Sequence, residues 1–496
     1  MNRHIIAFVL AVALLLATSL SYGLEFVTAQ RAERIATNWV SLVTHEEGDW
    51  GGSSEAFVDE VIEYRPEERL LGYLCHVKPQ GYIIVSLFEG LAPVKAYSAT
   101  CDLDPEVGGS IAEILRLKLT CIHEGIEHQV GPLEAARPDQ VQALAEIDYS
   151  EAWLNLDCDP ARFREKLESG GALQNYQQGD ILLTCSWHQG DPYNIYCPTP
   201  AEVEDVDCDR AHCSVGCVAL AAAMLMHYWC WPPGPDWYSM PDRLDEHSTP
   251  QQVDAVASLC SAIGVLVGMD YCNGKGCASG ADTEDMVPLY KLAFGYSSAT
   301  TKIDREDYDQ AGWFEEIKLQ INQNRPIHYR IGGHSLVVDG WKRSGGIRRY
   351  HLNMGWDGGK PGKKCWEKYE GINTNTWYAV DGIPCSRLVW EFMLTNIRPI
   401  TAVGGLVMGS YPWNDELRYS YFDVDAAGIE GTFHPNHRIQ FVRGVSVKGV
   451  GPLGIRFYAI PDLPGIRMFT KADMSKGVRI DRGAIRLYNG GGLKLY

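Results

Sequence analysis

Gly216-Cys217-Val218-Ala219-Leu220-Ala221-Ala222-Ala223-Met224-Leu225-Met226-His227-Tyr228 sets one cysteine directly after a glycine and directly before an apolar run of helical length. The first turn of a helix carries unpaired backbone N–H groups and the positive end of the helix dipole, so a thiolate there is stabilised and its pKa is expected to fall. The competing reading makes Cys217 a small hydrophobe or half-cystine on a core helix. Partner residues downstream decide between them.

A cysteine nucleophile needs a base within hydrogen-bond reach and a third group that orients the base. Among fourteen histidines, Gly332-Gly333-His334-Ser335-Leu336-Val337-Val338-Asp339-Gly340-Trp341 singles out His334, at the mouth of an alternating, β-branched strand opened by two glycines. Such glycines let a neighbouring backbone or substrate approach closely. A second strand follows in Tyr350-His351-Leu352-Asn353-Met354-Gly355-Trp356-Asp357-Gly358-Gly359. Asn353 is expected to accept the Nδ1 proton of His334, leaving Nε2 to take the thiol proton. The rival base, His351, sits inside the second strand and reads as structural.

These blocks resemble the streptopain family of bacterial cysteine proteases: Gly216-Cys217-Val218-Ala219 with its helix, Gly333 to Gly340, and His351 to Gly358. Trp187-His188-Gln189-Gly190-Asp191-Pro192-Tyr193-Asn194, Gly268-Met269-Asp270-Tyr271, Phe294-Gly295-Tyr296 and Asn324-Arg325-Pro326-Ile327 resemble further blocks in the same order. The resemblance runs over residues 24–395. It implies an α+β, papain-like two-lobed fold with the nucleophile on a helix and the base on a facing sheet. It also implies that Cys217 is the nucleophile, His334 the general base and acid, Asn353 the orienting residue and Gln189 an oxyanion-hole donor. Gly216 and Gly333 then flank the substrate, and Trp356 shields the His334–Asn353 contact or simply packs. Without the resemblance, Gln189 would read as a polar loop residue. No metal or organic cofactor is implied.

The chain departs from the family at two places. Met354 stands where Trp usually follows the Asn, thinning the aromatic cover over His334. Met224 and the Trp229-Cys230-Trp231 cluster stand where polar residues are common, which adds packing and removes no reacting group.

The rest of the chain supplies context. At 496 residues and a net charge of −19, it is too long for one core and too acidic for a nucleic-acid partner. Met1-Asn2-Arg3-His4, the thirteen apolar residues Ile5 to Ala17 and the small residues up to Gly23 read as a signal peptide, residues 1–23, too short to span a membrane. Export fits fifteen cysteines: with Cys217 free, the other fourteen suffice for seven bridges. A zinc site among Cys208, Cys213, Cys217, Cys230, Cys272 and Cys277 is the weaker alternative, because their spacings match no common ligand pattern.

Residues 24–165 resemble the family's propeptide, through Gly81-Tyr82-Ile83-Ile84-Val85-Ser86 and Pro93-Val94-Lys95-Ala96-Tyr97-Ser98; a permanently attached accessory domain is the alternative. The peptidase domain is expected over 175–395. Removal of the propeptide is expected within 155–180, where Arg162, Arg164, Lys166 and Ser169-Gly170-Gly171 suggest an accessible linker.

Residues 400–496 change character. Thirteen Lys+Arg against eight Asp+Glu over 397–496 give +5, leaving −24 for the remainder. Ile455-Arg456-Phe457-Tyr458, Ile485-Arg486-Leu487-Tyr488 and Leu493-Lys494-Leu495-Tyr496 share one alternation, and Asn489-Gly490 suggests a hairpin or solenoid-like all-β domain. It would bind an anionic cell surface or glycan, or serve as a structural domain or sorting tail. The expected function is a secreted cysteine endopeptidase made as a zymogen, acting on protein or peptide substrates. Another amide or ester hydrolase or acyl transferase on the same fold, or a catalytically silent surface-binding protein, are the alternatives.

Overall fold

The computed structural model describes residues 26–399, except 106–110, 171–175, 204–207, 233, 238, 275–276, 356–375 and 381–390, and beyond them seven short strands between 416 and 488. The expected signal peptide, Trp356, Asn489-Gly490 and Leu493 to Tyr496 lie outside the described residues.

The chain opens with helix α1 (Ala29–Glu47), whose N-cap Thr28 accepts the Arg31 N–H and whose end is set by Gly48 in the left-handed region. Its apolar face, including Ile35, Trp39, Leu42 and Val43, is buried. It lies on an antiparallel meander of β1 (Phe57–Tyr64), β2 (Gly72–Lys78), β3 (Tyr82–Ser86) and β4 (Val94–Ser98). Helices α2 (Ile111–Val130), α3 (Pro138–Ala145), α4 (Ser150–Leu156) and α5 (Pro160–Glu168) complete the N-terminal unit. Arg162, Arg164 and Lys166 lie on α5, correcting the expected linker. Asp159 caps that helix by accepting from Ala161 and Arg162 N–H, and Phe163 and Leu167 are buried. Only the exposed Ser169 and Gly170 leave the helix before residue 171.

The second half begins with β5 (Gln177–Gln178) and the cysteine helix α6 (Cys217–Trp229). Residues on every side of α6 are buried, the signature of a helix inside a core rather than on its surface. Helix α7 (Pro250–Leu266) starts from a Thr249/Gln252 capping box and packs beside it. A small β6 (Asp270–Gly274) and β7 (Ala278–Gly280) ribbon follows, then β8 (Thr301–Asp304), α8 (Gln310–Asn322), β9 (Ile327–Ile331), β10 (His334–Ser344), β11 (Ile347–Asn353), β12 (Thr376–Ala379) and β13 (Phe392–Thr395). The class is α+β, as expected, with α6 packed against β10.

One sheet unites the two halves in the order β1-β2-β3-β4-β12-β11-β10-β9-β13-β8, with β5 on β10. The junction pairs Tyr97 with Trp377 and Ala96 with Tyr378. The apolar clusters are shared too: Leu115 and Leu119 of α2 belong with Leu220 and Val337, and Trp377 belongs with Trp39. Charge is buried along the same seam. Lys342 is ion-paired to Glu47, Ser344 donates to Glu46, and Arg349 reaches the Val94 carbonyl at 2.8 Å with its guanidinium 4.1 Å from the Trp39 ring.

Two bridges, Cys208–Cys277 and Cys213–Cys272, bind the loop before α6 to the β6–β7 ribbon. Four of the six possible zinc ligands are thereby taken up as disulfides. Cys121 is also disulfide-bonded. Cys75, Cys158, Cys197 and Cys260 are thiols, as is Cys217, so part of the fourteen stays reduced. Cys75 and Cys260 are fully buried in the core.

Beyond residue 415 the described strands are all parallel. β14 (Glu416–Tyr419), β16 (Arg438–Phe441), β18 (Ile466–Phe469) and β20 (Ile485–Tyr488) form one sheet, and β15 (Ile429–Thr432), β17 (Ile455–Tyr458) and β19 (Val478–Ile480) another. Successive strands alternate between the sheets, a solenoid-like arrangement. Ile455 to Tyr458 and Ile485 to Tyr488 therefore stand in different sheets.

Candidate active site

The loop into α6 is tightly held. Val215 N–H donates to the Gln189 carbonyl at 3.0 Å, Ser214 N–H to the Cys277 carbonyl at 3.1 Å, and Asn194 Nδ2 to the Cys213 carbonyl at 3.1 Å. Gln189 is thus fixed two residues from the cysteine, with its side chain half-buried. Gly216 is the N-cap at φ 86°, and a Cβ there would meet Met269 Sδ at 2.4 Å. Only glycine tolerates both the left-handed backbone and this approach. Cys217 therefore begins the helix, partly exposed, with the rest of α6 locked behind it.

His334 starts β10 because the turn before it is a two-residue hairpin loop. Ile331 pairs with His334, and Gly332 and Gly333 between them have φ of 53° and 90°. Both positions of such a turn need positive φ, which explains the Gly-Gly pair without invoking substrate. At Gly333 a Cβ would meet nothing within 4 Å.

The Ser335 N–H, one residue beyond His334, faces the Cys217 sulfur and favours its thiolate, as do the N–H groups of Cys217 and Val218 at the helix start. Burial outweighs them and raises the thiol above its ordinary value, against the lowering expected from the helix terminus. The imidazole is also buried, which pushes it down to about 3 despite its bond to Met354. Burial thus works against the charged form of both groups.

His334 Nε2 lies 2.9 Å from the Met354 carbonyl. A carbonyl only accepts, so Nε2 carries the proton and Nδ1 is the basic nitrogen of the neutral ring. This reverses the expected roles of the two nitrogens. It also corrects the role of Asn353, whose Nδ2 donates to the Cys185 carbonyl at 2.8 Å and whose Oδ1 accepts from Gly355 N–H at 3.4 Å. Asn353 braces the strand end, and the next residue's backbone holds the imidazole. Beyond it, a Cβ on Gly355 would meet Leu220 Cδ2 at 2.7 Å, so the chain leaving Met354 runs against the cysteine helix. His351 sits elsewhere, its Nδ1 2.5 Å from Oδ1 of buried Asp339.

Three features escaped the sequence reading. Leu117 of α2 lies over Gly332, its Cδ1 3.4 Å from where a Cβ would stand, and the adjacent Lys118 is ion-paired with buried Glu391. Ser335 is linked to His328 Nε2 at 2.6 Å and Thr283 Oγ1 at 3.3 Å, and His328 Nδ1 to the Tyr290 hydroxyl at 3.0 Å. Arg330, the cross-strand partner of Ser335, donates to Thr283 Oγ1 at 3.4 Å.

Residues 187–235 and 234–362 match the model of the Peptidase C10 family. Streptopain of Streptococcus pyogenes is 26% identical over 208 residues, covering 35% of this chain and 51% of that protein. The thiol protease/hemagglutinin PrtT of Porphyromonas gingivalis is 22% identical over 201 residues, covering 35% of this chain and 22% of that protein. The chain thus spans about half the length of the streptopains it matches. A solved fragment of Prevotella intermedia prointerpain A superposes with a TM-score of 0.46 at 17% identity, covering 69% of this chain and 99% of that one.

Proposed function

We propose that this chain, whose residues 187–362 match the model of the Peptidase C10 family, is a secreted cysteine endopeptidase of the streptopain type made as a zymogen. The observation that carries the reading is the convergence of Cys217, at the start of a buried helix, with the β10 terminus that bears His334 and presents the Ser335 N–H to the sulfur. In the proposed reaction, Nδ1 of His334 takes the thiol proton and Sγ bonds to the scissile carbonyl carbon. The backbone N–H of Cys217 and the Gln189 amide hold the oxyanion. The C–N bond breaks as the imidazolium returns the proton to the amine, and water, deprotonated by the same nitrogen, hydrolyses the thioester.

Residues 24–165 are proposed as the inhibitory propeptide, a reading supported by Leu117 and Lys118 packing at the β9–β10 end. The disulfides fit an oxidising compartment, and among the described residues no helix is long and apolar enough to cross a membrane. The basic C-terminal strands are proposed to hold the enzyme to an anionic surface.

Incubation with a thiol-directed epoxide and casein tests the peptidase reading, beside a Cys217→Ala copy. Labelling and cleavage are expected only with the cysteine present. Either one persisting in the variant overturns the assignment, and labelling without cleavage of casein or peptides favours a different acyl-transfer reaction.

A further inference from the structure

Arg330 is a half-buried cation beside the candidate reaction centre. It stands on β9 opposite Ser335, so their Cα atoms are about 5 Å apart, and Ser335 is the residue whose N–H faces the Cys217 sulfur. Its charge is felt by both Cys217 and His334, favouring the thiolate and opposing the imidazolium.

The hydrogen-bonded groups it leads into are neutral. Thr283 accepts from it at 3.4 Å, and beyond Thr283 the chain of contacts among the described residues runs through Ser335, His328 and Tyr290. Burial pushes His328 down to about 3 and Tyr290 well above the phenol range, so both are uncharged at neutral pH. Of the carboxylates around Thr283, Asp282 and Asp285 are exposed and form no ion pair with Arg330, and the others are taken. Glu284, next to Thr283, is held by Lys302 at 3.0 Å, and Glu391 is paired with Lys118 and accepts from Tyr329. Arg330 has no carboxylate partner among the described residues, in a chain of net charge −19. A guanidinium presents several donors in a planar fork suited to a carboxylate, and its strength grows where water is thinned.

We infer that Arg330 forms an anion-accepting subsite beside the scissile bond, selecting substrates with a glutamate or aspartate side chain in a residue flanking the cleaved peptide. The inference rests on the peptidase reading above and adds a substrate class to it: acidic peptides, bound with Thr283 orienting the guanidinium from behind.

The test uses the processed enzyme and matched peptide pairs with Glu or Gln at each of three positions on either side of the scissile bond. For each pair the ratio of kcat/KM is measured within one protein, so a change in the basal rate cancels. In the unsubstituted enzyme, Glu should be favoured by about tenfold or more at one position, with the preference shrinking as salt rises. Arg330→Gln should bring that ratio near one, and Arg330→Lys should keep part of it. Hydrolysis of the neutral peptides without a Glu preference anywhere would remove the subsite and leave the peptidase reading standing. A preference that survives Arg330→Gln, or a substitution that moves only the pH profile of thiol reactivity, would assign the cation to the thiolate alone and overturn the inference. Absence of both peptide hydrolysis and epoxide labelling would bring down the underlying peptidase reading instead.

Discussion

The imidazole of His334 is held through Nε2 by the backbone carbonyl of Met354, at 2.9 Å. A backbone acceptor cannot be removed by changing a side chain, so the ring's tautomer depends on the strand end keeping its shape. That shape is Asn353's task.

Asn353→Ala should therefore act first on stability. It removes two buried hydrogen bonds, to Cys185 and Gly355, costing about 1–3 kcal/mol in urea unfolding. Because Met354 still supplies the carbonyl, kcat should fall by about tenfold, against roughly a thousandfold for His334→Ala. A drop for Asn353→Ala equal to that for His334→Ala would restore the side chain as the orienting group.

Gly216→Ala should lose both function and stability. The new Cβ would meet Met269 Sδ at 2.4 Å on a backbone at φ 86°, and each effect costs on the order of 1–3 kcal/mol. Adding Met269→Ala should recover the steric part only, so a double variant with full stability would show the backbone conformation to be unimportant.

The acid limb of stability follows from buried histidines. Burial lowers His123, His328 and His334 from 6.5 to about 3, so the unfolded chain binds their protons more readily than the folded one. Their contribution is complete above pH 6.5 and is lost as pH falls from there toward 3. Urea midpoints measured at steps from pH 7.5 to 4 should decline steadily below 6.5, and His123→Leu should flatten the decline. An unchanged midpoint across that range would mean these imidazoles are solvated.

Glu46 acts with the opposite sign. Burial raises it from 4.5 to about 7, against the lowering by Ser344, Lys342 and Arg349, so its contribution is full below pH 4.5 and is lost as pH rises through 7. Glu46→Gln should make docking of α1 on β10 less sensitive to pH between 6 and 8. By contrast, Glu47→Ala leaves Lys342 buried without its ion pair and should cost about 3–5 kcal/mol. Hydrogen exchange along α1 reads both.

Much of the site was legible because its signals are local. The glycine before Cys217, the alanine-rich run after it and the Gly332-Gly333 pair each fix a backbone conformation within a few residues, and they set Cys217 at a helix start and His334 at a strand start. Asn353 was misread because a strand's last side chain and the next residue's carbonyl are equally placed to reach a neighbouring ring, and only coordinates choose between them. The thiol's shift was misjudged for a similar reason: helix-terminal N–H groups are visible in a sequence, whereas burial depends on everything packed above. Arg330 was within reach of sequence reasoning. A two-residue loop at 332–333 makes residues 330 and 335 partners, which sets this cation beside the histidine strand.

The junction of Tyr97 with Trp377 has a further consequence. While residues 26–170 are attached, β12 is an interior strand with neighbours on both sides. Their departure would strip one flank, turning Trp377 and Tyr378 into an open border of unmatched N–H and C=O groups, a template for any extended polypeptide. If residues 26–170 are removed as proposed, the newly open border would favour self-association of the freed chain at high concentration.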